Sequence, residues 1–208
     1  LDLDAVHEVR TQDRRRKSRA VRRPRIIVEF DRDDCGRFEG VVHEFLTTPR
    51  AGAMARGFAA GLRDVEAGWK AWKKTTPSMP PKYAEAAELA MYVNWSAVVA
   101  PSGLLQRPTM LMSKNWMTRC WSWDHCFNAI ALSYRNPDLA WDQLMVLFDH
   151  QDEFGALPDS VEAARMTWNF CKPPIHGWAL SRMMKRRGLL TDKRLRRIYS
   201  ALSRWTNW

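Results

Sequence analysis

The sequence predicts an all-α fold over residues 83–208, preceded by a shorter segment that contains β-strands. Apolar side chains recur at every third or fourth position through most of this span, which is the spacing of amphipathic helices. Pro101-Ser102-Gly103 and Asn136-Pro137 interrupt the pattern where helices are expected to end, and no strand pattern of any length returns. We therefore expect antiparallel pairs of helices, and a β-sheet anywhere in this span would contradict the prediction.

The N-terminal segment, residues 1–80, is predicted to contain two strands and one helix. Residues 25–30 (RIIVEF) have the composition of a strand, and residues 37–45 are a second candidate. Residues 53–74 fit a helix whose apolar positions are Met54, Phe58, Leu62, Val65 and Trp69. The stretch TTPSMPP that follows has the composition of a linker. We therefore separate this segment from a second part, residues 81–208.

Five helices are visible by periodicity in the second part, beginning near residues 83, 124, 137, 174 and 191. Pro137 suits the first turn of its helix, Gly188 is a candidate for the residue that follows the fourth helix, and Thr191 is a candidate N-cap for the last. The apolar faces expected on the last four helices are Phe127, Ile130, Ala131 and Tyr134; Trp141, Leu144, Met145 and Phe148; Ile175, Trp178, Ala179 and Met183; and Leu195, Ile198, Tyr199, Leu202 and Trp205.

Composition indicates a globular protein without a membrane span. The chain has 208 residues, 46% of them hydrophobic, and a mean hydropathy of −0.45, which is enough for one substantial core. No apolar run approaches the roughly 18 residues that a transmembrane helix needs, so we expect no membrane partner. The chain begins with Leu1 and shows no secretion signal. We expect a fragment of a longer protein, with the compartment left open and the cytoplasm slightly favoured.

The net charge of +10 is local. Residues 14–25 (RRRKSRAVRRPR) hold eight basic side chains and no acidic one, and without them 25 basic side chains remain against 23 acidic ones. Such a run is compatible with an arm that binds nucleic acid or another polyanion. It is more typical of a solvated terminal segment. We favour the solvated segment, because an isolated run of charge often has no partner.

The cysteines and histidines predict neither a metal site nor a cofactor. The four cysteines (Cys35, Cys120, Cys126 and Cys171) lie in no CxxC pair, and the five histidines are scattered. Buried thiols that act as small hydrophobic groups are the expectation, and nothing in the sequence requires a disulfide.

Aromatic and acidic residues at one helix start point to carbohydrate. A pyranose offers C–H faces to aromatic rings and hydroxyls to carboxylates. Trp121 and Trp123 flank Asp124 just before a helical pattern begins, where burial on an amphipathic face does not explain them. Trp141, Trp178 and Trp205 instead lie on apolar stripes and are expected in the core. The alternative for Asp124 is a carboxylate that stabilises the helix dipole, and the two roles are compatible.

Four motifs resemble a known family. WSWDHCFNAIAL, NPDLAWDQL, DHQDEFGALPDSV and KPPIHGWAL are similar to the front part of the catalytic domain of glycoside hydrolase family sixty-three and its bacterial mannosylglycerate-hydrolase-like relatives. The resemblance covers roughly residues 83–208. It implies an inverting α-glycosidase built on an (α/α)6 barrel, a ring of six helical hairpins, of which this chain would contain part.

The resemblance also implies roles for individual residues. Asp124 matches a residue that binds hydroxyls of the sugar being cleaved, and Trp121, with Trp123 beside it, lines that subsite. Gln151 ends a helix on the substrate rim, although a capping amide is the alternative. Asp159 follows a GALP loop that points toward the same mouth. Lys172 matches a lysine near the pocket, with simple surface exposure as the alternative.

No catalytic residue is assigned. Glycoside hydrolysis by inversion needs an acid and a base about 6.5–9.5 Å apart, and the resemblance implies that both lie beyond Trp208. We expect an α-glycosidase acting on short α-glucosides or α-mannosides, such as a glycosylglycerate or an oligosaccharide, in a chain that lacks the machinery for turnover. The alternative is a non-catalytic helical module whose basic arm binds nucleic acid or another polyanion.

Overall fold

The computed structural model describes residues 6–11, 26–30, 34–36, 57–113, 116–186 and 188–208. The chain divides into two compact units, Leu1–Asp64 and Val65–Trp208. The boundary expected between residues 80 and 81 stays a prediction. Among the described residues, no helix combines the length and the apolar character that crossing a membrane requires.

The first unit contains a two-stranded antiparallel sheet made of β1 (Val6–Thr11) and β2 (Ile26–Phe30). β2 corresponds to the strand predicted over residues 25–30, whereas the sequence pattern did not indicate β1. The second predicted strand, residues 37–45, and the basic run, residues 14–25, lie outside the described residues. The polyanion-binding alternative therefore stays a prediction.

Two helices precede the core of the second unit. They are α1 (Phe58–Lys74) and α2 (Ala84–Ala97), joined through a 3₁₀ turn at Pro81–Tyr83. The Trp69 ring of α1 meets the Tyr92 ring of α2 edge-on, with centroids 5.8 Å apart. No residue of either of these two fully described helices is buried. The helical spacing predicted for α1 is thus present, but spacing alone did not reveal that its apolar face would be exposed.

The core of the second unit is built mainly by four helices, namely α3 (Asp124–Leu132), α4 (Pro137–Met145), α5 (His176–Met183) and α6 (Asp192–Asn207). α3 packs against both α4 and α5. Ala129, Ala140 and Ala179, one on each of these three helices, are fully buried. Such small side chains allow helix axes to approach closely, and they suit the packing of α3 against both of its neighbours.

Several predictions for α4 and α6 are confirmed. The α4 stripe and its continuation are all buried, namely Trp141, Leu144, Met145 and Phe148. Pro137 lies in the first turn of α4. The side-chain oxygen of Thr191 accepts a hydrogen bond from the backbone N–H of Arg194 at 3.3 Å, so Thr191 is the N-cap of α6. α6 buries Ile198 and Trp205.

Four aromatic side chains predicted on buried faces are exposed instead: Phe127, Tyr134, Trp178 and Tyr199. On α3 the buried residues are His125, Cys126, Ala129 and Leu132. Within the predicted stripe of α3, Ile130 is partly buried and packs against the core, whereas the aromatic members lie outside, because the core face carries mainly small and polar side chains. Gly188 has a φ of +77°, but it lies in the loop beyond α5 rather than directly after the helix.

The prediction that residues 83–208 contain no β-sheet is wrong. β3 (Val98–Val99) pairs with β4 (Thr109–Met110), and β5 (Cys120–Trp121), β6 (Ser160–Val161) and β7 (Met166–Thr167) form a three-stranded antiparallel sheet in that order. Strands of two residues are too short to show the alternation that identifies a strand in a sequence. The second unit is therefore a helical fold with small sheets.

Candidate functional site

The three-stranded sheet brings β6 and the preceding Asp159, which are distant in the sequence, next to the start of α3. Trp121, the last residue of β5, pairs with Ser160, the first residue of β6. The backbone N–H of Ser122 donates to the carbonyl of Asp159 at 3.0 Å, and the N–H of Asp159 donates to the carbonyl of Thr167 at 2.8 Å. Asp159 is thus fixed by the backbone of both neighbouring strands, beside the turn that leads into α3.

Asp159 forms a close ion pair with Lys172. The ammonium nitrogen Nζ of Lys172 lies 2.7 Å from Oδ1 of Asp159, and the two side chains are 30% and 8% exposed, respectively. Lys172 stands immediately before Pro173-Pro174, whose rings restrict the backbone of the loop. The pair therefore joins the loop before α5 to the small sheet.

Asp124 is the first residue of α3 and is partly buried. Burial is the largest cause that raises the pKa of its carboxyl, and the neighbouring Asp159 carboxylate raises it further. The backbone N–H of Asp124 itself and the Lys172 ammonium act in the opposite direction. Asp124, Asp159 and Lys172 are therefore near enough to interact electrostatically, and we call these three residues the charged triad.

A buried histidine ties the start of α3 to the end of β5. Nδ1 of His125 lies 3.2 Å from the carbonyl oxygen of Trp121. Burial lowers the pKa of His125 to about 4, so the ring is neutral at neutral pH. Since a carbonyl can only accept, the neutral ring carries its proton on Nδ1 and donates it. Sequence reasoning missed His125, and an isolated histidine on a helix offers no pattern that would have found it.

An aromatic cluster lies next to the charged triad. The Trp123 and Phe127 ring centroids are 6.0 Å apart, and those of Phe127 and Trp178 are 5.9 Å apart, each pair in an edge-on arrangement. Phe127 and Trp178 are each 47% exposed, so the expectation that Trp178 packs in the core is wrong. Trp121 and Trp123 are both partly exposed, and such rings can meet the C–H face of a sugar.

Gln151 is engaged by other parts of the protein. Its side-chain nitrogen donates to the carbonyl of Gly155 at 2.8 Å and to that of Ala201 at 2.9 Å. Its side-chain oxygen accepts from Nε of Arg204 at 3.1 Å. These contacts use the whole amide to join a loop to α6. The substrate-binding role of Gln151 stays a prediction.

The thiols of the second unit differ in exposure. Cys120, Cys126 and Cys171 are free thiols; Cys120 and Cys126 are buried, while Cys35 and Cys171 are exposed. The expectation of buried thiols therefore holds for two of them. Burial is the main cause that raises the pKa of both Cys120 and Cys126 to about 12, so neither is a nucleophile at neutral pH. Within the described residues, no group of three or more His, Cys, Asp or Glu could hold a metal ion.

Comparison with known proteins yields one family. Residues 117–208 match the family described as the mannosylglycerate hydrolase MGH1-like glycoside hydrolase domain. No curated protein matches the chain. The matched segment extends from just before β5 to the end of α6, so it includes Trp121, Asp124, Asp159 and Lys172. The resemblance is thus confirmed for this part of the chain.

Proposed function

Because residues 117–208 match the mannosylglycerate hydrolase MGH1-like glycoside hydrolase domain, we propose that the chain is part of an inverting α-glycosidase. Its substrates would be short α-glucosides or α-mannosides, such as a glycosylglycerate or an oligosaccharide. The hairpin of α3 and α4 would be one of the six hairpins of an (α/α)6 barrel. The family supports hydrolysis of glycosyl bonds, and the substrate and stereochemistry are our proposal.

The observation that carries the proposal is the position of Asp124. Its carboxylate is partly buried at a helix start, close to Trp121 in the chain and within electrostatic reach of Asp159 and Lys172. A partly desolvated carboxylate is a strong acceptor for hydroxyl donors, and a ring face beside it packs on the C–H groups of a pyranose. We assign Asp124 to the hydroxyls of the sugar being cleaved, with Trp121 and Trp123 lining that subsite.

The charge of the triad favours a neutral sugar ring at this position. Asp124 and Asp159 contribute two negative charges and Lys172 contributes one positive charge, so the triad is negative overall when all three are ionised. An anionic group such as a glycerate carboxylate would be repelled here. We therefore place the sugar ring, rather than a charged aglycone, at Asp124. The catalytic acid and base of the proposed reaction are assigned to no residue of this chain.

The test replaces Asp124 with asparagine, which removes one charged acceptor without changing the size of the side chain. Titration calorimetry with methyl α-glucoside and methyl α-mannoside should show affinity weaker by about 1.5–3 kcal/mol, roughly ten- to hundred-fold, the scale of a hydrogen bond to a charged group. In a longer protein that turns over substrate, kcat/KM should fall by a similar factor.

Asp138→Asn is the matched control. Asp138 also lies in the first turn of a helix, α4, but its side chain is 87% exposed and pairs with Arg194 at the surface. This control should bind sugar like the parent. If Asp124→Asn binds as tightly as the parent, or if both variants lose affinity equally, Asp124 is not the sugar ligand.

A further inference from the structure

Within the charged triad, Lys172 is paired with Asp159 and not with Asp124, the carboxylate that we propose binds sugar. Lys172 lies 2.7 Å from Asp159, whereas its effect on Asp124 is a longer-range electrostatic one. Asp159 is itself buried and held by two backbone hydrogen bonds to neighbouring strands. The ammonium therefore has a rigid anchor, and that anchor is not the proposed sugar ligand.

We propose that Asp159 is a positioning residue, which holds the Lys172 ammonium away from Asp124 so that the Asp124 carboxylate stays ionised but unpaired and accepts hydrogen bonds from sugar. The sugar-binding part of this inference rests on the proposed function, whereas the effect of Asp159 and Lys172 on the Asp124 carboxylate does not. It replaces the direct substrate contact predicted for Lys172 with an indirect role.

The physical reason is that a sugar ligand must satisfy two opposing requirements. A partly buried carboxylate beside a second carboxylate tends to take up a proton, and a protonated Asp124 would be a poorer acceptor. A nearby cation prevents this protonation. If that cation paired directly with Asp124, however, it would occupy the oxygens that the sugar needs. Anchoring Lys172 on Asp159 meets both requirements.

The other titratable groups near Asp124 do not perform this task. The thiol of Cys126, two residues after Asp124 on α3, has its pKa raised by burial and further by Asp124, so it stays protonated and uncharged. His125 is neutral at neutral pH because burial lowers its pKa to about 4. Lys172 and Asp159 are therefore the two charged groups, among the described residues, that act on Asp124.

A purely structural ion pair would behave differently from a positioning pair. Lys172 is partly exposed, and an exposed or half-exposed pair contributes little to stability. Removing either partner of a purely structural pair would lower stability slightly and shift the titration of Asp124 only by the lost charge, so the shifts of the two single variants would add in the double variant. In a positioning pair the shifts do not add, because removing Asp159 also releases the Lys172 ammonium to pair with Asp124.

The experiment is a carbon-13 NMR titration of the Asp124 carboxyl in the complete 208-residue chain. It compares the parent with Lys172→Met, Asp159→Asn and the double variant, with Lys185→Met as a control because Lys185 is exposed on the loop after α5. Lys172→Met should raise the pH at which Asp124 titrates. Asp159→Asn should lower it, and the double variant should lie between the two. The control should match the parent.

Binding of methyl α-glucoside and methyl α-mannoside provides the second readout. Asp159→Asn should bind about tenfold more weakly at every pH, because the freed ammonium pairs with Asp124 and occupies a charged acceptor. Lys172→Met should lose sugar affinity on acidification at a higher pH than the parent does, because Asp124 takes up its proton earlier. The double variant should recover most of the affinity that Asp159→Asn loses. Thermal unfolding of each variant checks that the fold is intact.

The outcomes separate the two proposals. If the shifts of the two single variants simply add in the double variant, or if Asp159→Asn leaves the Asp124 titration unchanged, the positioning role of Asp159 is wrong. If the shifts do not add but no protein, including the parent, binds either sugar, the positioning role stands and the sugar function of Asp124 is refuted. Where Lys172→Met or Asp159→Asn unfolds, Lys172→Gln or Asp159→Ser removes the same charge in its place, and the comparison with the double variant is unchanged.

Discussion

Replacing Gln143 tests how much buried hydrogen bonds stabilise the core, because this one side chain joins α4 to β4. Its side-chain oxygen accepts a hydrogen bond from the backbone N–H of Met110 at 2.7 Å. Its nitrogen donates to the carbonyl of Pro108 at 2.9 Å and to that of Leu139 at 3.2 Å. Gln143 has no exposed surface. Gln143→Leu keeps a similar volume and removes all three hydrogen bonds.

The loss of stability depends on which backbone groups lose a hydrogen-bond partner. Leu139 keeps the partner that a helix provides four residues later, so its carbonyl is not orphaned. The N–H of Met110 and the carbonyl of Pro108 lose their side-chain partner, and each unsatisfied buried group costs about 1–3 kcal/mol. The sum is about 2–6 kcal/mol, against a total stability of about 5–15 kcal/mol for a domain. At about 2–4 °C per kcal/mol for a chain of this size, the melting temperature should fall by roughly 4–24 °C.

The assay is thermal unfolding followed by circular dichroism, together with urea unfolding to check that the denaturant slope is unchanged. Gln106→Leu is the matched control: Gln106 is exposed, and a surface substitution of this kind should change stability by no more than about 0.5 kcal/mol. Should Gln143→Leu melt within about 2 °C of the parent, the reasoning from buried unsatisfied groups would be wrong for this site.

Two further predictions concern pH and the loop before β6. Burial lowers the pKa of His125 and of His176 to about 4 in the folded chain from an ordinary value of 6.5. The unfolded chain therefore binds protons first, and stability should fall as the pH drops from about 6.5 to 4, by about 3 kcal/mol per histidine. His176→Phe should remove about half of this slope in urea titrations; an unchanged slope would contradict the assignment. Gly155 has a φ of +103°, and a Cβ there would collide with the α6 backbone, so Gly155→Ala should lose more than about 1 kcal/mol. Gly61→Ala, in open space on α1, should not be destabilised, and equal losses at both positions would refute the collision.

The sequence predicted helices better than it predicted which faces they bury. On α4 the apolar stripe and the core face coincide, because the large residues Trp141 and Leu144 point into the core. On α3 they do not coincide, because close packing favours Ala129 while Phe127 remains outside. A pattern of hydrophobicity carries no information about how closely two helices approach, so the correct face of α3 could not be chosen from the sequence.

The site was predicted only in part, because some of the contacts that assemble it leave no pattern in the sequence. Trp121 and Asp124 are close in sequence, so their proximity follows from the chain itself. Asp159 reaches them only through the pairing of β5 with β6, two strands of two residues each. Such strands leave no periodic trace. The family resemblance placed Asp159 and Lys172 near the same mouth, but it did not indicate that the two form an ion pair. The aromatic neighbour Trp178 was assigned to the core, and the structure instead leaves it exposed beside Phe127.

The small sheet also explains how a helical unit can hold a precise polar site. Trp121 ends a strand and Asp124 begins a helix, and side chains at the ends of rigid elements are held in place while still reaching solvent. The hydrogen bond from His125 to the Trp121 carbonyl ties the first turn of α3 to the last residue of β5. Because the pKa of His125 is lowered to about 4, this bond does not change near neutral pH. The pH dependence of sugar binding should therefore report on Asp124 and its two charged neighbours, rather than on the turn that positions them.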